Sequence, residues 1–200
     1  MRTINPEVKA KYSAVEVRDI VISVIVLSVA FTIMFDRGGS TIDIWTLLAI
    51  SAAVVCASFV THELAHKFVA QKYRAWAEYR MNTLGLGMAL FVSLFGFIFA
   101  APGAVYIKGN IDQRKNGIIS AAGPIVNILL GSAAFVLFMA TTGLVSSIFF
   151  ILASVNAFFA VFNMVPIMPL DGYKICRWSL SVYAVMMSAA VLLLLAVWFL

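Results

Sequence analysis

The chain has 200 residues, of which 63% are hydrophobic and only 12% charged, and its mean hydropathy is +1.02. A soluble domain carries about a quarter charged residues, and a globule of this size has no interior for so much apolar surface, so the composition points to a membrane protein. The net charge of +5 argues little for nucleic acid, because the fourteen Lys and Arg lie mostly between apolar runs, where they suit topology and lipid headgroups.

Residues 1–19 read as a cytoplasmic or interfacial arm, and 20–200 as a single transmembrane domain. The first apolar run, 20–35, follows Glu7, Glu16 and Asp19 and lacks the basic start and small-residue cleavage site of a signal peptide, so it is expected to be a retained anchor helix. The run is short for a hydrocarbon core of ~30 Å at ~1.5 Å per residue, which predicts a helix extending past both its ends. Four further runs, 44–70, 117–140, 144–167 and 178–200, have spanning length. Cys56 and Cys176 lie in or beside apolar segments and form no disulfide framework; both read as small buried hydrophobes.

The stretch 84–107 is apolar as well, but Gly85, Gly87, Gly96 and then Ala101-Pro102-Gly103 interrupt regular helix. Charge placement distinguishes its two topologies. If 84–107 spans, Lys and Arg divide eight to six between the two sides; if it dips in and returns, thirteen fall on one side and only Arg37 on the other. The positive-inside rule favours the second arrangement. The expected fold is therefore an all-α membrane protein of five to six transmembrane helices, with a re-entrant or β-hairpin segment near 84–107. A plain sixth helix is the alternative.

Residues 62–66 read His-Glu-Leu-Ala-His and hold the only two histidines of the chain. Four residues apart on a helix, His62 and His66 share a face and can grip one metal ion. Glu63 beside them can act as a general base toward metal-activated water. Zinc suits neutral imidazole, and a hydrolytic zinc site takes three protein ligands and leaves one position open. Ionisable residues at membrane depth are costly, which favours a functional reading over a chance match. With no histidine left, the third ligand must be a carboxylate or a thiolate. Most acidic residues lie in the polar arm or in loops, leaving Asp171; Cys176 is a minor alternative, and Cys56, six residues before His62, turns ~240° away on a regular helix. Pro166, Pro169 and Gly172 around Asp171 predict an unwound helix end, which at membrane depth wants a polar cavity. An ordinary helix exit fits the same residues.

The sequences HELAH in one apolar helix, AAGPIVNILLG in a later one and NMVPIMPLDG after that resemble the site-2 protease family of intramembrane zinc metalloproteases, over a core of about 54–174. The resemblance implies one zinc ion held by His62, His66 and Asp171, Glu63 as catalytic base, and Asn163 near the site or the substrate path. It places Gly123, Pro124 and Asn127 in a core helix beside the site, where Asn127 either contacts substrate or bonds between helices. The stretch 84–107 is longer than the short hairpin expected in this family. Gly85 and Gly87 within it are assigned a substrate-holding role, as part of a strand edge. The function implied is zinc metalloendopeptidase activity on membrane-anchored protein substrates, in a multi-pass protein of the cell membrane whose site faces the cytoplasm. A zinc peptidase acting on soluble or loop peptides and a metal transporter or non-catalytic scaffold are the rival readings.

Overall fold

The computed structural model of the protein describes residues 12–98 and 102–199. Ser13 opens helix α1 (Ala14–Arg37) by accepting the Glu16 N–H at 3.1 Å, and Asp43 opens α2 (Ile44–Val55) by accepting from Trp45 and Thr46. These side-chain oxygens satisfy N–H groups that a helix start leaves unpaired. Through one π turn, Cys56–Val60, α2 continues into α3 (Thr61–Lys72), making an apolar rod of 29 residues. Strand β1 (Trp76–Met81), helix α4 (Thr83–Ser93) and strand β2 (Gly103–Lys108) follow, and then the hairpin of α5 (Gln113–Ala140) and α6 (Gly143–Asn163). A short α7 (Asp171–Trp178) leads into α8 (Leu180–Phe199).

Among the described residues, five helices, 14–37, 44–72, 113–140, 143–163 and 180–199, are long and apolar enough to cross a bilayer, the shortest having 20 residues. The fold is that of an all-α membrane protein with one two-stranded sheet. Helix α1 starts at Ala14 and so takes in part of the expected arm; residues 1–11 of that arm lie outside the described residues.

The segment 84–107 leaves and returns. β1 and β2 pair antiparallel from Trp76↔Lys108 to Met81↔Gly103, and the Asn82 N–H donates to the Pro102 carbonyl at 2.7 Å just past the last pair. Both ends of the excursion are thereby closed at one level, as the charge count requires. Its outward limb differs from expectation. Gly85 and Gly87 sit in helix α4, where Asn82 caps the start by accepting the Gly85 N–H, so they belong to no strand edge. The surrounding Leu, Met, Ala and Phe favour helix, and α4 packs Leu86 and Ala89 into the main core with Leu27, Phe31, Val54, Phe59 and Tyr79. Residues 99–101 lie outside the described residues.

Buried polar groups fasten the sheet to the helices. Glu16 of α1 is fully buried, pairs with the equally buried Lys67 of α3, and accepts the Tyr79 N–H of β1 at 3.0 Å. The Tyr79 hydroxyl donates to the Pro102 carbonyl and lies 2.9 Å from Ser23 Oγ. α1, α3 and the base of the excursion are thus joined around one carboxylate and one phenol.

A candidate metal centre at one end of the bundle

His62 and His66 lie on consecutive turns of α3, both buried, with their Nε2 atoms 3.0 Å apart. Asp171 meets them from the start of α7, its Oδ2 3.4 Å from His62 Nε2 and 3.0 Å from His66 Nε2. The expected unwinding brings it there: α6 stops at Asn163, turns occupy 164–170, and α7 begins at Asp171. Gly172 permits the fold-back, because a Cβ at that position would run into the Met164 carbonyl. Gly123 of α5 does the same for the imidazoles; a Cβ there would lie 2.5 Å from His66 Nε2 and 2.6 Å from His62 Nε2.

The protons on the two imidazoles can be placed from their partners. His62 Nδ1 lies 2.6 Å from Asn127 Oδ1, and His66 Nδ1 lies 2.8 Å from the Ile119 carbonyl. Both partners are acceptors, so each Nδ1 carries the hydrogen and each Nε2 presents a lone pair. Two lone pairs and a carboxylate oxygen converge with no proton among them. That arrangement is repulsive by itself and fits a divalent cation bound by two nitrogens and one oxygen. Among the described residues, His62, His66 and Asp171 are the only His, Cys, Asp or Glu grouped closely enough to hold a metal ion. Cys56 is exposed and Cys176 half-buried, and neither joins the group.

The other Asp171 oxygen, Oδ1, lies 3.6 Å from Lys174 Nζ, one helical turn on.

Glu63 and the three ligand candidates share the wall of a cavity of about 130 Å³ with Gly103, Ala104, Val105 and Ile107 of β2 and with Asn163. The Val105 N–H reaches the Glu63 carboxylate. Asn163 Nδ2 donates to the Phe159 carbonyl at 3.0 Å. Of the residues singled out from sequence, His62, Glu63, His66, Asp171 and Asn163 come together at this cavity, and Asn127 stands directly behind His62. Gly85 and Gly87 do not line it. Lys174, Asn156 and the β2 backbone escaped the sequence reading. The spacing of Asp171 and Lys174, three residues apart on a helix, could have disclosed the lysine; Asn156 carries no comparable signal.

The chain is similar to a protein of Methanocaldococcus jannaschii named "Putative zinc metalloprotease MJ0611", with 36% identity over 179 residues that cover 88% of this chain and 90% of that protein. Two proteins of the same designation are also similar. YwhC of Bacillus subtilis is 30% identical over 139 residues, covering 59% of this chain and 63% of its own; Rip3 of Mycobacterium tuberculosis is 33% identical over 139 residues, covering 66% and 31%. No family model matches the chain, and no solved structure matches it significantly. A relative matched over nine-tenths of its length, together with motifs that fold onto one buried centre, shows that the chain belongs to the site-2 protease family.

Proposed function

We propose that this protein is an intramembrane zinc metalloendopeptidase of the cell membrane, which cuts membrane-anchored proteins within or beside their transmembrane segments from a site facing the cytoplasm. The observation that carries this reading is the convergence of His62, His66 and Asp171 beside Glu63, in one cavity at the end of a bundle of apolar helices. The orientation rests on charge. Of the eleven described Lys and Arg, ten lie toward the end that holds the site and only Arg37 lies toward the other.

Zinc held by His62, His66 and Asp171 would supply an electrophile for the scissile carbonyl and would make an attacking water more acidic. Glu63 takes the proton from the water as its oxygen attacks the carbonyl carbon, and passes it to the amide nitrogen as the C–N bond breaks. Lys174 stands on the far side of Asp171 and balances its charge. A helical substrate hides its peptide bonds and must be extended before it is cut. Among the described residues β2 is paired by β1 alone, and Gly103, Ala104, Val105 and Ile107 line the Glu63 cavity, where an extended peptide can add as a third strand. The substrate-holding role read from sequence at Gly85 and Gly87 therefore moves to residues 103–107.

The test is to reconstitute wild type, Glu63→Gln and Asp171→Asn in liposomes with a membrane-anchored reporter, and to measure zinc content and cleavage in each. Glu63→Gln should keep its zinc and lose turnover on the order of a hundred- to ten-thousand-fold. Asp171→Asn should lose zinc. Unchanged cleavage in the first variant, or full zinc affinity in the second, overturns the assignment. Passage of zinc across sealed vesicles that survives Glu63→Gln would replace it with transport.

A further inference from the structure

Behind His62 runs a chain of amide groups whose direction is set at its far end. Asn156 of α6 is fully buried; its Nδ2 donates to the Leu152 carbonyl at 2.9 Å and to Ser58 Oγ at 2.8 Å. A backbone carbonyl can only accept, so the amide has one orientation and its Oδ1 faces Asn127. Asn127 Nδ2 donates to that Oδ1 at 2.9 Å and to the Ser58 carbonyl at 3.1 Å. Its Oδ1 is left facing His62 Nδ1 at 2.6 Å. Ser58 is the middle residue of the π turn, Cys56–Val60, four residues before His62. In a π turn the hydrogen-bond ladder slips from i→i+4 to i→i+5, which opens a carbonyl to a side-chain donor; such turns concentrate at functional sites.

We propose that Asn156, acting through Asn127, is a positioning residue that fixes which nitrogen of His62 carries the proton, and that the π turn at Ser58 serves this relay. If Asn127 reversed, its Nδ2 would face His62 Nδ1, the proton would shift to Nε2, and the lone pair aimed at the metal would be lost. Two carbonyls, of Leu152 and Ser58, and one amide, of Asn156, oppose that reversal. The Nδ1 proton of His66 is held separately, by the Ile119 carbonyl, although its Nε2 also meets His62 and Asp171. The inference rests on the reading of His62 as a metal ligand, and its primary measurement needs neither metal nor substrate.

The chain has only two histidines, so selective ¹⁵N-imidazole labelling gives four ring-nitrogen signals. In metal-free protein, at a pH where both imidazoles are neutral, wild type should show Nδ1–H and bare Nε2 at both residues. Asn156→Leu, and the smaller Asn156→Ala in case the first does not fold, should give a mixed tautomer at His62 while His66 keeps its proton on Nδ1. Their zinc affinity, from chelator competition, should fall at least about 10-fold, the lower end of the range for outer-shell partners of metal-binding histidines. Asn156→Asp keeps an acceptor toward Asn127 and should restore the single tautomer. An unchanged His62 spectrum in both amide-deleting variants overturns the proposal, and so does an equal disturbance of His62 and His66. A wild type with the expected tautomers that binds no zinc leaves the relay standing and refutes the metal reading instead.

Discussion

At the end of the bundle that holds the metal centre, seven buried side chains (Glu16, His62, His66, Lys67, Asn127, Asn156 and Asp171) all have polar partners, and the cavity among them is about 130 Å³. At the opposite end, between α1 with the start of α2 and the facing turns of α5 and α6, a cavity of about 1180 Å³ is walled by Phe31, Phe35, Phe138, Phe150 and Phe158 with few polar atoms. One wall residue, Ser154, keeps a buried hydroxyl with no hydrogen-bond partner among the described residues. The contrast shows where positional definition is needed. Apolar contact alone tolerates a wide gap that a bilayer's own chains can fill, whereas chemistry on a peptide bond needs atoms held within tenths of an ångström. Directional bonds between buried groups supply that definition, and breaking one leaves an unpaired charge or dipole in a dry interior.

The largest effect should follow from breaking the Glu16–Lys67 pair. Lys67→Met leaves the Glu16 carboxylate buried without its cation and should cost about 3–5 kcal/mol of stability. Adding Glu16→Gln removes the stranded charge while keeping an oxygen for the Tyr79 N–H, and should recover most of the loss. Thermal unfolding in detergent measures both; a single variant as stable as wild type would mean that the polar end is not held by its pairs. Next comes Gly123→Ala. The added methyl group must displace the two Nε2 atoms, so zinc affinity should fall on the order of 10- to 100-fold with the helices intact by circular dichroism. Tyr79→Phe is milder. It removes the hydroxyl between Ser23 and the Pro102 carbonyl, which still has the Asn82 N–H, and should cost about 1 kcal/mol, seen first as faster amide exchange in β2.

Much of the polar end was legible in the sequence, because its residues break the apolar pattern. His62, Glu63 and His66 stand out in a helix that needs none of them, and Pro166, Pro169 and Gly172 mark the unwound turn that delivers Asp171. The charge count gave the return of the 84–107 segment, since a span would have split the basic residues evenly. Its local structure was hidden: glycines that favour turns in isolation accept helix when Asn82 caps them and α1 offers an apolar wall. β1 was hidden too, being short, charged at Glu78 and Arg80, and defined only by a partner some thirty residues away in the chain. Asn156 and the π turn were invisible for another reason. Their roles depend on which carbonyl faces which amide, and spacing along the chain does not report that.

The comparison is sharpest where the same atom is deleted at both places. Ser58 and Ser154 each bury a hydroxyl; Ser58 Oγ receives Asn156 Nδ2 at 2.8 Å, whereas Ser154 Oγ receives nothing among the described residues. Ser58→Ala leaves one proton of a buried amide without its acceptor and should cost about 1 kcal/mol. Ser154→Ala removes a hydroxyl already desolvated without return, so its stability should stay within about 0.5 kcal/mol of wild type or rise slightly. The two variants remove the same chemical group from helical segments of one bundle, so side-chain entropy cancels between them and the difference chiefly reports pairing. Equal losses at both positions would mean that lipid or water satisfies Ser154, and that the far cavity is a hydrated or occupied chamber instead of a slack apolar gap.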